Sequence, residues 1–144
     1  MIQMVLRDTG TGDVLEQMVL PALRRGGYQY QTRAYLGDRF GGGKHYVDII
    51  AEDATHSKIL VSMKWQQVAG TAEQKVPFEA MCLAETILGS DGQFQKAYLV
   101  LGGEGWKLRN FFVGGGLAKH LRHSDLVVIT TLEGFVAKAN KSQL

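Results

Sequence analysis

Cysteine is almost missing from this chain of 144 residues. Cys82 is its single thiol, so no disulfide can form within the chain, and its setting in the apolar run from Met81 to Ala84 predicts a buried, inert side chain. A reducing, cytoplasmic compartment is the expectation. Long hydrophobic runs are missing too: no stretch approaches the roughly 20 apolar residues of a membrane span, and Met1 to Asp8 has no basic segment of the kind that opens a signal peptide. Neither export nor a membrane partner is expected. Charge of one sign is scarce, since 16 Lys and Arg stand against 14 Asp and Glu for a net charge of +2. A nucleic-acid surface would therefore have to come from local clustering. The four histidines have no cysteine pairs beside them, which argues against a structural zinc site. What remains is ordinary for a folded protein: 45% hydrophobic and 21% charged residues, enough for one core and one domain over residues 1–144.

Local patterning predicts the order α-β-β-β-α-β-α-β-α. Asp13 can cap a helix whose apolar residues Val14, Leu15, Met18, Val19, Ala22 and Leu23 recur at helical spacing up to Arg24-Arg25, with a kink at Pro21. Tyr28 to Leu36 alternates as a half-buried strand does, Gly37 to Gly43 is a loop, and His45 to Glu52 and Lys58 to Trp65 form two more strands about a polar turn. These three should make an antiparallel meander. Thr71 can cap a second helix through Leu88, with Pro77 bending or delaying its start. Gln95 to Leu101 and Asp125 to Thr130 are continuous apolar runs, as in parallel strands covered on both faces at a sheet centre. Helical turns are expected at Trp106 to Phe112 and Leu117 to Leu121, and a last helix from Thr131. The fold class is α/β, a mixed sheet flanked by helices.

Two charges interrupt the apolar strands. Asp48 stands inside Tyr46-Val47-Asp48-Ile49-Ile50, and Lys64 follows Ile59-Leu60-Val61-Ser62-Met63. Charges there are costly unless they pair or hold a metal. Adjacent strands can bring a carboxylate and an ammonium to one sheet edge, the first to bind Mg²⁺ and the second to place or deprotonate a water. A phosphodiester calls for that pairing, because its own charge repels nucleophiles until a cation neutralises it. Glu16, flanking the apolar stripe of the first helix, is a candidate for a further acid.

With these residues the chain resembles the PD-(D/E)XK nuclease superfamily from about Asp13 to Tyr98. The resemblance implies a restriction-endonuclease-like αβββαβ core. It implies Asp48 as the motif aspartate, Lys64 as the motif lysine, Glu16 as the helical acid and Ser62 at the place of the second acid. Glu16, Asp48 and Met63 form the metal set it implies, for Mg²⁺ with Mn²⁺ as substitute. Thr71-Ala72-Glu73-Gln74 is similar to the Ser-x-x-Gln of one branch, which adds Gln74 to the site. Two positions depart from the pattern. Val47 replaces a proline that supplies backbone shape, and Ser62 replaces a carboxylate with a weaker ligand. Glu16, Glu73 or Glu79 could supply the missing charge; otherwise the domain would be an inactive nucleic-acid-binding or assembly subunit.

Gly41-Gly42-Gly43-Lys44-His45 lacks the spacing and the Ser or Thr of a phosphate loop. It fits better as a loop gripping DNA, with Arg33, Arg39, Lys44, His45 and Gln66 as the expected contacts. The resemblance implies a DNA endonuclease leaving a 3′-hydroxyl and a 5′-phosphate, of restriction or homing type first, with junction resolvase and repair nuclease as alternatives. One such domain cuts one strand. Double-strand cleavage would need a homodimer, a larger symmetric assembly or a separate recognition subunit.

Overall fold

The computed structural model describes residues 12–144. A π-helical turn, Leu15–Val19, leads into helix α1, Leu20–Arg25. Pro21 sits at the start of α1, where its missing N–H costs least, so the expected kink takes the form of a change in helical pitch. Strands β1 (Gln29–Asp38), β2 (Lys44–Glu52) and β3 (Lys58–Trp65) follow, then α2 (Ala72–Leu88) and β4 (Phe94–Gly102). A short helix α3 (Arg109–Val113), a 3₁₀ turn at Gly116–Lys119, strand β5 (Val127–Thr131) and helix α4 (Leu132–Asn140) complete the order. Thr131 caps α4 by accepting the Gly134 N–H at 3.0 Å, as its hydroxyl at that place predicts. Among the described residues no helix is long and apolar enough to cross a membrane.

The sheet runs β1-β2-β3-β4-β5. The first three strands are an antiparallel meander, and β4 and β5 then add in parallel. The runs at β4 and β5 are parallel as expected, but β5 is an edge strand and β3 takes the centre. β5 is only half-buried: Val127 and Ile129 pack toward α2 and Val128 toward the opposite layer, so its apolar run lines both faces as a central strand does, and periodicity cannot separate the two.

Helix α2 covers one face through Val76, Ala80, Leu83, Ala84 and Ile87. The π-helical turn, α1 and α4 cover the other, where Val19, Leu23, Phe135 and Ala139 close over Ile49, Val61 and Tyr98. Each Val, Leu, Ile or Phe among them contributes about 1.5–3 kcal/mol by leaving water. Alternation slips once in β2: Val47 faces α2, yet Ile49 and Ala51 face α1 and α4. β1 slips in step, between Tyr30 on one face and Ala34 on the other. The extra residues are Asp48 and its neighbour Arg33, whose φ of +51° is the left-handed backbone such a slip requires.

The exits of β3 and β4 are clasped together. Gln66 is buried; its amide nitrogen donates to Glu73 and to the Gly105 carbonyl, and its amide oxygen accepts from the Ala72 N–H at 2.9 Å. Gln66 thus caps α2, where the Thr71 side chain makes no capping bond. Gly103, at φ +89°, lets the second exit lie against the Gln66 backbone, which a Cβ would strike.

Candidate active site

Asp48 lies at the slip in β2, where the β2–β3 ladder has made its last pair, Ile49 with Val61. Its Oδ2 replaces the next rung by accepting the Met63 N–H at 2.7 Å. The strands part there, and one carboxylate oxygen is fixed while the other takes no hydrogen bond from a described residue. Burial pushes the Asp48 carboxyl above the usual aspartate range, with help from the charge of Glu79; the Met63 N–H, Lys64 and Arg33 oppose the rise without cancelling it.

The second acid comes from α2. Glu79 is buried, and its Oε2 accepts from the Ser62 hydroxyl at 2.8 Å and pairs with His45 Nε2 at 3.1 Å. Its Oε1 faces the Arg39 guanidinium at 3.9 Å and accepts no hydrogen bond from a described residue. Burial pushes Glu79 upward, but the His45 bond, the charge of Lys64 and the Ser62 hydroxyl outweigh it and hold the carboxyl below the usual range. Lys64, half-buried at the end of β3, thus acts on both acids.

Asp48 and Glu79 therefore share one pattern: one oxygen anchored, the other left over, and the charge of one lysine, Lys64, acting on both. A hard divalent cation takes oxygen donors of this kind, and Asp48, still paying for its own burial, is the group such a cation would relieve. Among the described residues no group of three or more His, Cys, Asp or Glu gathers as a ready metal cage. The donor set fits an ion that keeps water and takes further oxygens from its substrate, as Mg²⁺ does.

The other expected residues divide. Ser62 is in the site, though as a donor to Glu79. Met63 supplies its N–H to Asp48, while its side chain lies in the core against α1 and α4. Arg39 leans toward Glu79; among the described residues its buried Nε has no hydrogen-bond partner. Arg33 and Lys44 are exposed along the β1–β2 hairpin. His45, expected at the phosphates, is 2% exposed; its position one residue into β2 turns it inward onto Glu79. Gln66 is likewise turned inward by the clasp described above. Gln74 is exposed, about 140° around α2 from Glu79 at 100° per residue. Glu16 is exposed on the π-helical turn, which packs against α1 and α4. The glycine run leads into strand β2 and not into a helix, so it lacks the helix N-terminus a phosphate loop uses.

Glu79 belongs to the site on this geometry, and sequence reasoning reached it only as one of three possible acids. The signal was present. Val76, Glu79, Ala80 and Leu83 have the spacing of one helix face, which puts an acid inside an apolar stripe.

A family model described as a PD-(D/E)XK nuclease superfamily domain matches residues 7–143. The crystal structure of a protein of unknown function, AF1548, superposes with a TM-score of 0.47 at 13% identity, over 78% of this chain and 54% of that one. The chain thus spans about half the length of that protein. No curated protein matches.

Proposed function

The chain belongs to the PD-(D/E)XK nuclease superfamily, and on that premise we propose that it is a Mg²⁺-dependent DNA endonuclease whose acids are Asp48 and Glu79. Nuclease chemistry in general follows from the family. The choice of DNA and of Mg²⁺, with Mn²⁺ as substitute, is the proposal. The observation that carries it is the pair of half-engaged carboxylates, Asp48 and Glu79, both under the charge of Lys64.

Asp48 and Glu79 would hold the cation, which when bound neutralises charge on the phosphate undergoing attack. The Met63 N–H keeps Asp48 aimed, and Ser62 and His45 do the same for Glu79. Lys64 supplies a positive donor at the attacking water or the phosphate oxygen. Arg33 and Lys44, exposed on the hairpin, offer phosphate contacts. Bond cleavage leaves a 3′-hydroxyl and a 5′-phosphate. One copy cuts one strand, so a double-strand break calls for a symmetric homo-oligomer or a second recognition subunit.

Nicking of supercoiled plasmid tests this directly. Wild-type protein with Mg²⁺ or Mn²⁺ should convert supercoiled DNA to open circles, and Lys64→Ala should lower the rate by at least about 10²-fold, the scale of a lost proton-transfer group. Lys64→Arg should not restore it, because a guanidinium is larger and far more basic. An intact plasmid under both metals would place the protein among binding subunits without chemistry.

A further inference from the structure

Beside Asp48, the β1–β2 hairpin carries a strip whose aromatic rings the chemistry does not use. Tyr35 and Tyr46 are paired across the two strands, 54% and 41% exposed, with ring centroids 5.5 Å apart. The Arg33 guanidinium carbon lies 5.1 Å from the Tyr46 ring centroid. Lys44, two residues before Tyr46, is exposed on the same side by strand alternation. Asp48 is two residues after Tyr46, about 7 Å along the strand. Two flat rings in contact with water, bracketed by two cations, therefore stand beside Asp48 along the strand, on the face opposite His45, which turns onto Glu79.

Rings of this size are usually buried, and their exposure as a pair needs an account. Duplex DNA has little use for them: its base faces are covered by neighbouring bases, and it offers proteins only phosphates and groove edges. An unpaired base offers a bare π-face, and alternating aromatic and cationic side chains are what hold single strands without regard to sequence. The left-handed backbone at Arg33 belongs to the same strip, since it turns this side chain over Tyr46 at the place where β1 slips opposite Asp48.

We propose that Tyr35 and Tyr46, with Arg33 and Lys44, form a stacking platform for unpaired DNA bases next to the phosphate to be cut, so that the substrate is DNA with a single-stranded stretch at the cleavage point. This rests on the nuclease reading for the role of Asp48, but the platform can be tested without cleavage.

The test measures binding of a fluorescent oligo-dT strand and of an intact duplex of equal length by anisotropy, without added divalent metal. Tyr46→Ala and Tyr35→Ala should each weaken oligo-dT binding by about tenfold, a typical effect of removing one aromatic stacking partner, and weaken duplex binding far less. Tyr46→Phe and Tyr35→Phe keep the ring and should restore the affinity, which separates stacking from any folding defect. With Mg²⁺, the wild type should cut a duplex containing an unpaired bubble faster than the fully paired one. Equal losses on both probes, or none on oligo-dT, overturn the platform. If Asp48-dependent nicking persists in that case, the nuclease reading stands without it. Ring-dependent binding of oligo-dT by a protein that cuts nothing would uphold the platform and remove the nuclease reading.

Discussion

Helix α2 buries two glutamates, Glu73 and Glu79, six residues apart, and they do opposite things. Glu73 accepts the Leu108 N–H at 2.6 Å on one oxygen, and the Lys107 N–H and the Gln66 amide, both at 3.1 Å, on the other. Those bonds, the Lys107 N–H foremost, hold its carboxyl below the usual range, and both of its oxygens are engaged. Glu79 spends one oxygen on Ser62 and His45 and keeps the other back. Burial of a carboxylate thus says only that something must compensate it. Whether the protein supplies the whole compensation or leaves a share for a cation separates a clasp from a ligand.

The largest expected effect tests that division. Glu79→Gln should lower plasmid nicking by at least about 10²-fold, as loss of a charged metal contact would, and leave the fold intact. Glu73→Gln should do the reverse, lowering Tm by a few degrees through a disturbed clasp while the protein that remains folded still nicks. Glu16→Gln, a surface change, should move stability little and leave cleavage within about a factor of two. Strong loss of cleavage in Glu16→Gln with little in Glu79→Gln would invert the comparison and return the second acid to the first helix.

A smaller, two-part effect asks whether the acid has moved from strand to helix. The family resemblance puts Ser62 at the place of the strand acid, and its hydroxyl donates to Glu79, the helix acid proposed to take over. Ser62→Glu alone should hurt, because it sets two carboxylates against each other in a buried space. In the double variant Ser62→Glu with Glu79→Gln the charge returns to the strand, and nicking should recover by about tenfold or more over Glu79→Gln alone, since charge is conserved and the loss is of geometry. No recovery would mean that Glu79 matters by position and not by charge alone.

The same residues show what was legible in advance. The meander, α2 and the parallel β4 followed from period-two and period-3.6 patterning, and Asp48 and Lys64 stood out as charges inside apolar strands. The edge position of β5 was hidden, because a short apolar run looks alike at the centre or rim of a sheet. His45 and Gln66 were expected at DNA and are buried instead. Their burial depends on long-range partners, Glu79 on another element and Gly105 in a later loop, which no local pattern encodes. The one-residue slip at Asp48 was equally hidden, although it aims the carboxylate: alternation assigns faces only while the pleat is regular.

The smallest expected effect is on stability, and its sign separates the two acids once more. In metal-free protein the folded-state Asp48 carboxyl is raised, burial being the main cause. Its proton is therefore held more tightly in the folded chain, and stability is lost as pH rises through the folded-state value. Glu79 is lowered by His45, Lys64 and Ser62 against the pull of burial, so its contribution is present above the unfolded value and is lost as pH falls through the folded one. Asp48→Asn should accordingly have the higher Tm at neutral pH, with the gap over wild type closing in acid. Glu79→Gln should have the lower Tm at neutral pH, and its deficit should shrink in acid. Added Mg²⁺ should raise the wild-type Tm by mass action and raise Asp48→Asn much less, narrowing at neutral pH the gap that the charge of Asp48 creates. A wild-type Tm indifferent to Mg²⁺, together with an Asp48→Asn gap of constant size at every pH, would mean that the carboxylate is neither strained by burial nor relieved by a cation.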